Sequence, residues 1–286
     1  MKIAITGATG HLGHLVIQHL LPQTSANNIV ALVRNVEKAE SFQKQGIEVR
    51  HFDYDQIESL QPALQGIDKL LLISASEIGR RTPQHKAVID AAVAAKVPYI
   101  AYTSLLRADT SRLSLAQEHR ETEQFIHDSG LRYTLLRNNW YIENYLANIQ
   151  HTIDSGIFYG AAQDALISAA PREDYAEVAA NVLLGSDHDN KTYELASSKA
   201  FTFDTLAKTI SEISSKTVIY KNLSAEDYKQ MLLQAGLPES LAETMVEADV
   251  EAIRGAFFSE SKDLENLLKR PTTPIETTVK SSLTSF

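Results

Sequence analysis

The chain has 286 residues, 44% hydrophobic and 22% charged, with no cysteine. That length suits one large domain or two modest ones, and the ordinary composition excludes collagen-like, low-complexity and disordered chains. Without cysteine there is no disulfide framework, thiolate nucleophile, iron–sulfur cluster or cysteine zinc site, and a formal net charge of −9 argues against a general nucleic-acid binder, which needs a basic surface.

The charge is unevenly placed. Residues 1–150 hold 15 basic and 15 acidic side chains, leaving 12 basic and 21 acidic to the remainder. Solubility alone accounts for an acidic second half. The sharper reading is that the first half avoids net negative charge because it binds an anion.

Residues 2–6 read as a strand, followed at once by Gly7-Ala8-Thr9-Gly10-His11-Leu12-Gly13. Leu12, Leu15, Val16, His19 and Leu20 then recur at helical spacing. Strand, glycine loop and helix in that order mark the dinucleotide site of a doubly wound fold. The first glycine permits the tight turn, the second lets the backbone approach a pyrophosphate, and the third lets helix and strand pack closely. Free N–H groups and the positive helix end then face the phosphates. The spacing is Gly-x-x-Gly-x-x-Gly, not the Gly-x-Gly-x-x-Gly of many dehydrogenases. Gly7 also breaks the apolar run too early for a secretory leader. No later stretch approaches the ~18 uninterrupted apolar residues of a membrane span. A cytoplasmic protein with no membrane or nucleic-acid partner is expected.

A second strand over 28–33 ends at Arg34. An NAD site usually carries Asp or Glu there for the ribose hydroxyls, whereas a guanidinium pairs with a 2′-phosphate. With Lys38 one helical turn further on, the strand end favours NADP(H). A helix is expected over 36–45, stopped by Gly46, and a third strand over 47–52. Asp53, ending that strand, has two readings: an acceptor for the adenine amino group, or a turn and N-cap residue.

A helix over 57–64, ended by Gly66, leads to a fourth strand over 69–73. Ser74, Ala75 and Ser76 close it, small enough to let a cofactor cross the sheet edge. A helix over 84–96, a strand over 98–103, a helix over 116–129 ended by Gly130, and a strand over 133–137 complete the alternation. The pattern predicts an α/β fold, a doubly wound parallel sheet of the NAD(P)-binding Rossmann type.

After Trp140 the rhythm weakens. Helices are expected over 176–184, 204–214, 225–235, 239–256 and 262–268, with short strands over 192–195 and 218–221. In the acidic helix at 239–251, Leu241, Met245, Ala248 and Ile253 predict one buried stripe. The Thr/Ser-rich tail from Pro271 is expected to be loosely packed at its end. These features divide the chain into a nucleotide-binding domain over 1–144 and a smaller substrate-side α/β lobe over 145–286, with some segments returning to the first domain.

Ordinary short-chain dehydrogenases use a Ser, a Tyr and a Lys, the last two as Tyr-x-x-x-Lys on one helix, where the Lys lowers the Tyr pKa. Here Thr103-Ser104 ends the fifth strand, but His119 and Glu123 occupy the Tyr and Lys spacing. A glutamate raises a neighbouring acid's pKa. Standard carbonyl reduction and sugar epimerisation are therefore disfavoured. Hydride transfer to an acceptor needing little acid catalysis, such as a quinone, remains open, as does cofactor binding without chemistry. His11 and His14 are three apart, yet no further ligand completes a metal set, so no metal is expected. Arg80-Arg81 is too short for a nucleic-acid patch.

Five strings now carry a specific resemblance: Ile5-Thr6-Gly7-Ala8-Thr9-Gly10-His11-Leu12-Gly13, Val33-Arg34-Asn35, Leu70-Leu71-Leu72-Ile73-Ser74, Ala101-Tyr102-Thr103-Ser104-Leu105-Leu106 and Tyr133-Thr134-Leu135-Leu136-Arg137-Asn138-Asn139-Trp140-Tyr141. Pro271-Thr272-Thr273 agrees. Over nearly its full length the chain resembles the NmrA-like, atypical short-chain dehydrogenase family, and within it the type 2 NADPH-dependent quinone oxidoreductases.

The resemblance implies an NADPH shell of Thr6 through His11, Arg34, Ser74, Ala75 and Ser76, and Asn138, Asn139, Trp140, Tyr141, Ile142 and Glu143. Trp140 and Tyr141 are then expected to wall a flat quinone pocket, since planar ligands stack on aromatics. Tyr102, Ser104 and Tyr141 are the candidate proton donors. Asn139 departs from the glycine expected in relatives, and its side chain is expected to narrow the pocket. The leading expectation is an NADPH:quinone oxidoreductase. The alternatives are a redox-sensing regulator that binds NADP(H) without turnover, and a reductase of another activated double bond or a nitro group. No oligomeric state is specified.

Overall fold

The computed structural model describes residues 1–284. The first half alternates β1 (Ile3–Ile5), α1 (His11–Leu20), β2 (Ile29–Val33), α2 (Glu40–Lys44), β3 (Glu48–His51), α3 (Ile57–Ala63), β4 (Lys69–Leu72), α4 (Arg81–Ala94), β5 (Tyr99–Leu105), α5 (Ala116–Asp128) and β6 (Arg132–Asn138). The second half continues with α6 (Glu143–Leu146), α7 (Ile149–Ser155), β7 (Ile157–Gly160), α8 (Arg172–Leu184), β8 (Lys191–Leu195), α9 (Phe203–Ser214), β9 (Ile219–Asn222), α10 (Ala225–Gln234), α11 (Glu239–Ile253), α12 (Asp263–Leu268) and α13 (Ile275–Thr284).

Seven strands form one parallel sheet in the order β3-β2-β1-β4-β5-β6-β8. The doubly wound prediction holds. β1, β2 and β5 are buried along their whole length, as strands covered on both faces must be. Successive residues face opposite layers. Ile3 and Ile5 pack with Val16 and Ala179 on one side, while Ala4 packs with Leu60, Val88 and Ile126 on the other. The strand order reverses between β1 and β4, so the loops leaving these strands border one crevice, where such folds bind ligands.

A second core gathers Leu146, Ile153, Phe158, Phe203, Ile210, Ala248 and Val279 from α6, α7, β7, α9, α11 and α13. β7 and β9 form a separate two-stranded parallel ribbon. β8 extends the main sheet beside β6, and α8 packs on α1, so part of the second half lies with the first.

Several sequence expectations are corrected. Residues 36–45 are not one helix: a 3-10 turn over Val36–Ala39, held by the Asn35 side chain accepting from the Glu37 N–H at 2.8 Å, precedes the short α2. α4 starts at Arg81, not at 84, because Pro83 fits a first helical turn. Leu241 and Ile253 of α11 are 48% and 43% exposed, so they form no buried stripe. That helix buries Ala242, Ala248, Asp249 and Ala252 instead, because small side chains let it lie close to its neighbours. The tail forms α13, with Val279 fully buried; residues 285–286 lie outside the described residues. α6, α7 and β7 lacked any clear periodic signal and were not anticipated.

Candidate active site

The glycine loop leaves β1 at the crevice. Gly7 has φ +57°, which only glycine adopts without strain, and its carbonyl accepts the Gly10 N–H at 2.8 Å. A Cβ on Gly13 would overlap the Gly7 carbonyl and stand 2.9 Å from Ala8 Cα, so this glycine seats α1 on the strand. The bond from His14 N–H to the Gly10 carbonyl (2.9 Å) leaves His11, Leu12 and Gly13 N–H groups without helical partners. Thr9, Gly10 and His11 are exposed, while Ala8 and Leu12 are core residues. The loop thus offers open backbone donors at a helix N-terminus and fits a pyrophosphate.

Thr6 Oγ1 accepts the Ile73 N–H at 2.9 Å and fastens the end of β1 to the end of β4. Beyond it, Thr103 Oγ1 accepts the Ser74 N–H (2.9 Å) and His85 Nε2 accepts the Ala75 N–H (2.9 Å). Arg81 Nε donates to the Ala75 carbonyl at 2.5 Å. Ser76 is exposed at the rim.

Arg34 is 70% exposed at the end of β2, 3.4 Å from Glu77, and open to an incoming phosphate. Asp53 is a turn residue: its carboxylate accepts the Asp55 N–H at 3.1 Å and the Gln56 side-chain amide at 3.2 Å. Of its two readings, the turn role is the one occupied.

At the carboxyl ends of β4, β5 and β6 lies a cavity of about 200 Å³. Ser74, Ser104 and Asn138 come from the strand ends, Arg81 from α4, His119 from α5, Trp140, Tyr141 and Asn144 from the segment after β6, and Thr244 from α11. Among the described residues no carboxylate lines it, and Arg81 is its one cation. A wider depression of about 530 Å³ between α4 and α5 is lined by none of the glycine-loop or strand-end residues.

Trp140 packs against Phe257 with centroids 4.9 Å apart. The Tyr141 ring lies under the Arg172 guanidinium (4.6 Å) and edge-on to Tyr175 (5.3 Å), and burial raises its phenol pKa. Asn138 Nδ2 donates to the Tyr141 hydroxyl at 3.3 Å, while Asn138 Oδ1 is buried with no partner. An orphaned acceptor at a cavity edge fits an amide N–H₂ such as that of a nicotinamide.

The remaining predicted residues are placed differently. Asn139 turns its Nδ2 to the carbonyls of Ser168 and Phe257, both at 2.9 Å, and so clamps two segments together while also lining the cavity. Ile142 is buried in the second core. Glu143 accepts the Arg172 N–H at 2.9 Å, at the start of α8.

The absent Tyr and Lys are explained by new partners. Glu123 pairs with Arg137 and accepts the Ser104 hydroxyl at 2.6 Å. Ser104 has thereby committed its proton and can only accept from a ligand. Tyr102 is fully buried, 2.7 Å from His119 Nδ1, and reaches the cavity only through that ring.

Arg81 was not singled out as a site residue, although its place in the first turn after the Ser74–Ser76 strand end was a usable signal. Thr244, about a hundred residues beyond Tyr141, had none.

A parallel sheet with a glycine loop at its switch point and a cation after its second strand defines a dinucleotide-binding protein of the doubly wound class. The chain belongs to the NmrA-like family, whose model matches residues 1–281. It is 51% identical over 277 residues to quinone oxidoreductase 2 of Escherichia coli (strain K12), covering 97% of each chain. The crystal structure of an NADPH-dependent quinone oxidoreductase from Escherichia coli complexed with NADPH matches with a TM-score of 0.96 at 50% identity, covering 99% of this chain and 100% of that one. Triphenylmethane reductase of Citrobacter sp., complexed with NADP(H), matches with a TM-score of 0.93 at 40% identity over 99% and 100% of the two chains. The resemblance read from the glycine loop and the 133–141 string is borne out.

Proposed function

We propose that this chain is an NADPH-dependent quinone oxidoreductase. The reading rests above all on its 51% identity, across 97% of both chains, to quinone oxidoreductase 2 of Escherichia coli. The geometry agrees with it. The loop from Gly7 to Gly13 holds the pyrophosphate and Arg34 the 2′-phosphate. Ser74, Ala75 and Asn138 border the nicotinamide end, and Trp140 and Tyr141 wall the acceptor side. Thr6 contributes by fixing the spacing of the two strand ends.

When bound, NADPH supplies a hydride: two electrons and one hydrogen leave the nicotinamide, and the quinone, taking them up with one proton from water, becomes the hydroquinone. The protein's task is orientation and the management of charge. Ser104 accepts, Asn138 Oδ1 accepts, and the backbone donors of the loop meet phosphate oxygens. The division at 144/145 follows the same logic, with the cofactor on the first part and Thr244 of α11 brought to the cavity by the second. Cytoplasmic residence belongs to this reading, because the reaction draws on the NADPH held there. Among the described residues no helix is long and apolar enough to cross a membrane.

The test is purified protein with NADPH and a panel of simple quinones, followed at the nicotinamide absorbance. Oxidation that requires both protein and quinone is expected. Tight NADPH binding without consumption of any quinone would overturn the reading and leave a cofactor-binding sensor.

A further inference from the structure

Two buried hydrogen-bonded pairs, His85 with Thr122 and Tyr102 with His119, lie between α4, β5 and α5. His85 Nε2 accepts the Ala75 N–H, so its proton sits on Nδ1 and donates to Thr122 Oγ1 at 2.9 Å. Thr122 passes its own proton to the Glu118 carbonyl at 2.7 Å. The Tyr102 hydroxyl, fully buried, lies 2.7 Å from His119 Nδ1 and has a second neighbour in the Thr122 hydroxyl, which His85 and the Glu118 carbonyl already engage. With Thr122 already so engaged, Tyr102 donates to Nδ1, the partner at hydrogen-bond distance, and Nδ1 accepts. The proton of the neutral His119 ring therefore sits on Nε2. That nitrogen has no partner among the described residues, and the ring lines the cavity. Burial and the nearby Arg81 and His85 depress His119 to about 3, which keeps it neutral at ordinary pH.

Arg81 stands in the same cavity wall. Its Nε is bound to Ala75, and among the described residues its Nη1 is buried with no partner and it takes part in no ion pair. The neighbouring carboxylate, Glu118, spends its Oε1 on the main-chain N–H groups of Gly79 and Arg81, and its Oε2 is buried without a hydrogen bond. A guanidinium with an orphaned nitrogen, outside any direct ion pair among the described residues and in a cavity that no carboxylate lines, is arranged for an anion.

We infer that His119 Nε2–H and Arg81 together form the charge-receiving end of the quinone pocket, binding the acceptor oxygen on which negative charge develops as the quinone gains its two electrons, with Tyr102 as a positioning residue that sets the His119 tautomer. The inference rests on quinone reduction being the reaction. Hydride uptake turns the neutral quinone into a hydroquinone monoanion. His119 donates a hydrogen bond without giving up its proton, Arg81 supplies the opposing charge, and water delivers the one proton that completes the hydroquinone. Donors already aimed at a developing oxyanion act strongly because they need no reorganisation.

Binding can be read without turnover. The probe is 2,6-dichlorophenolate above its pKa, a redox-inert mimic of the monoanion, with its neutral methyl ether as control. Both are titrated calorimetrically into NADP⁺-saturated protein. The wild type is expected to prefer the phenolate at least tenfold. His119→Phe and Arg81→Met should each abolish that preference while leaving NADPH affinity within threefold. In turnover, kcat should fall ten- to a hundredfold in both, with KM for the quinone changing less than threefold. Tyr102→Phe should lower kcat in the wild-type background but have no further effect in His119→Gln, whose amide has no tautomer to set. A merely structural Tyr102 would cost the same in both backgrounds. An unchanged phenolate preference in both variants, or a loss that tracks NADPH affinity, overturns the inference. If no quinone is reduced by wild type while the phenolate preference stands, it is the proposed reaction that fails and not the anion site.

Discussion

Glu123 grips Arg137 with both oxygens, Oε1 accepting from Nε at 2.9 Å and Oε2 from Nη2 at 2.7 Å. The third guanidinium nitrogen reaches Glu194 at 2.8 Å and Asp109 at 3.2 Å. The register makes this possible: Ser104 of β5 and Glu194 of β8 are the neighbours of Arg137 on either side. The residue occupying the lysine spacing of ordinary short-chain dehydrogenases is thus a strut between α5 and the sheet. Removing one partner of a buried pair leaves an uncompensated charge. Glu123→Leu should cost about 3 kcal/mol in urea unfolding, and the double variant Glu123→Leu/Arg137→Met should cost less than the single one. A double variant less stable than Glu123→Leu would contradict this account.

Arg34 should decide the choice of cofactor. Arg34→Ala is expected to weaken NADPH by about 1.5–3 kcal/mol, the scale of a charge-assisted hydrogen bond, and to leave NADH nearly untouched. Glu77 stands 3.4 Å from the same guanidinium and repels a phosphate placed there. Glu77→Gln should therefore tighten NADPH by about 0.5–1 kcal/mol, less so at high salt. Fluorescence titration of both cofactors measures each effect, and equal losses for NADPH and NADH in Arg34→Ala would remove the 2′-phosphate role.

The three loop glycines should not be equivalent. A methyl on Gly13 meets only backbone, so Gly13→Ala must move α1 or the loop, at about 1–3 kcal/mol of stability, and should cost NADPH affinity at least tenfold. Gly10→Ala meets a single atom, the Gly7 carbonyl at 3.1 Å, and should lose less on both counts. Thermal unfolding and cofactor titration of the pair give the ranking.

Opposed titrations should flatten the acid response of the fold. Burial, helped by Arg81, depresses His85 and His119 to about 3. Between about pH 6.5 and 3 the unfolded chain binds protons there that the native one refuses, so stability falls on acidification. Asp249 works the other way. Burial raises it to about 7, opposed only by the Ala161 N–H it accepts at 2.7 Å. Between about pH 7 and 4 the native chain keeps a proton that the unfolded one releases, so stability rises on acidification. Asp249→Asn removes this second effect and should lose about 1.5 kcal/mol more than wild type between pH 7 and 5.5. Parallel pH profiles in urea unfolding would rule the compensation out.

The nucleotide end of this protein was legible along the chain because it is built from neighbours. Gly7, Gly10 and Gly13 sit within one strand–turn–helix, and Arg34 simply ends the next strand, so local conformation and charge define the binder. The cavity at the other end was legible only in part: Ser74, Ser104, Asn138, Trp140 and Tyr141 follow strand ends in the chain, but the rest is assembled across distance. Arg81, His119 and Thr244 arrive from α4, α5 and α11, and their meeting depends on how the second core closes over the strand ends. Position alone did not show that Asn139, which lines the cavity, is also held by the Ser168 and Phe257 carbonyls. The same limit explains Glu123 and Tyr102. Residue type and spacing showed that a tyrosine and a lysine were missing from the expected pair. Only the packing of α5 against β5 and β6 showed what stands there: a carboxylate paired with Arg137, and a histidine hydrogen-bonded at Nδ1 to a buried tyrosine. A side chain's protonation and direction follow from its partners, and those partners are chosen by the tertiary structure.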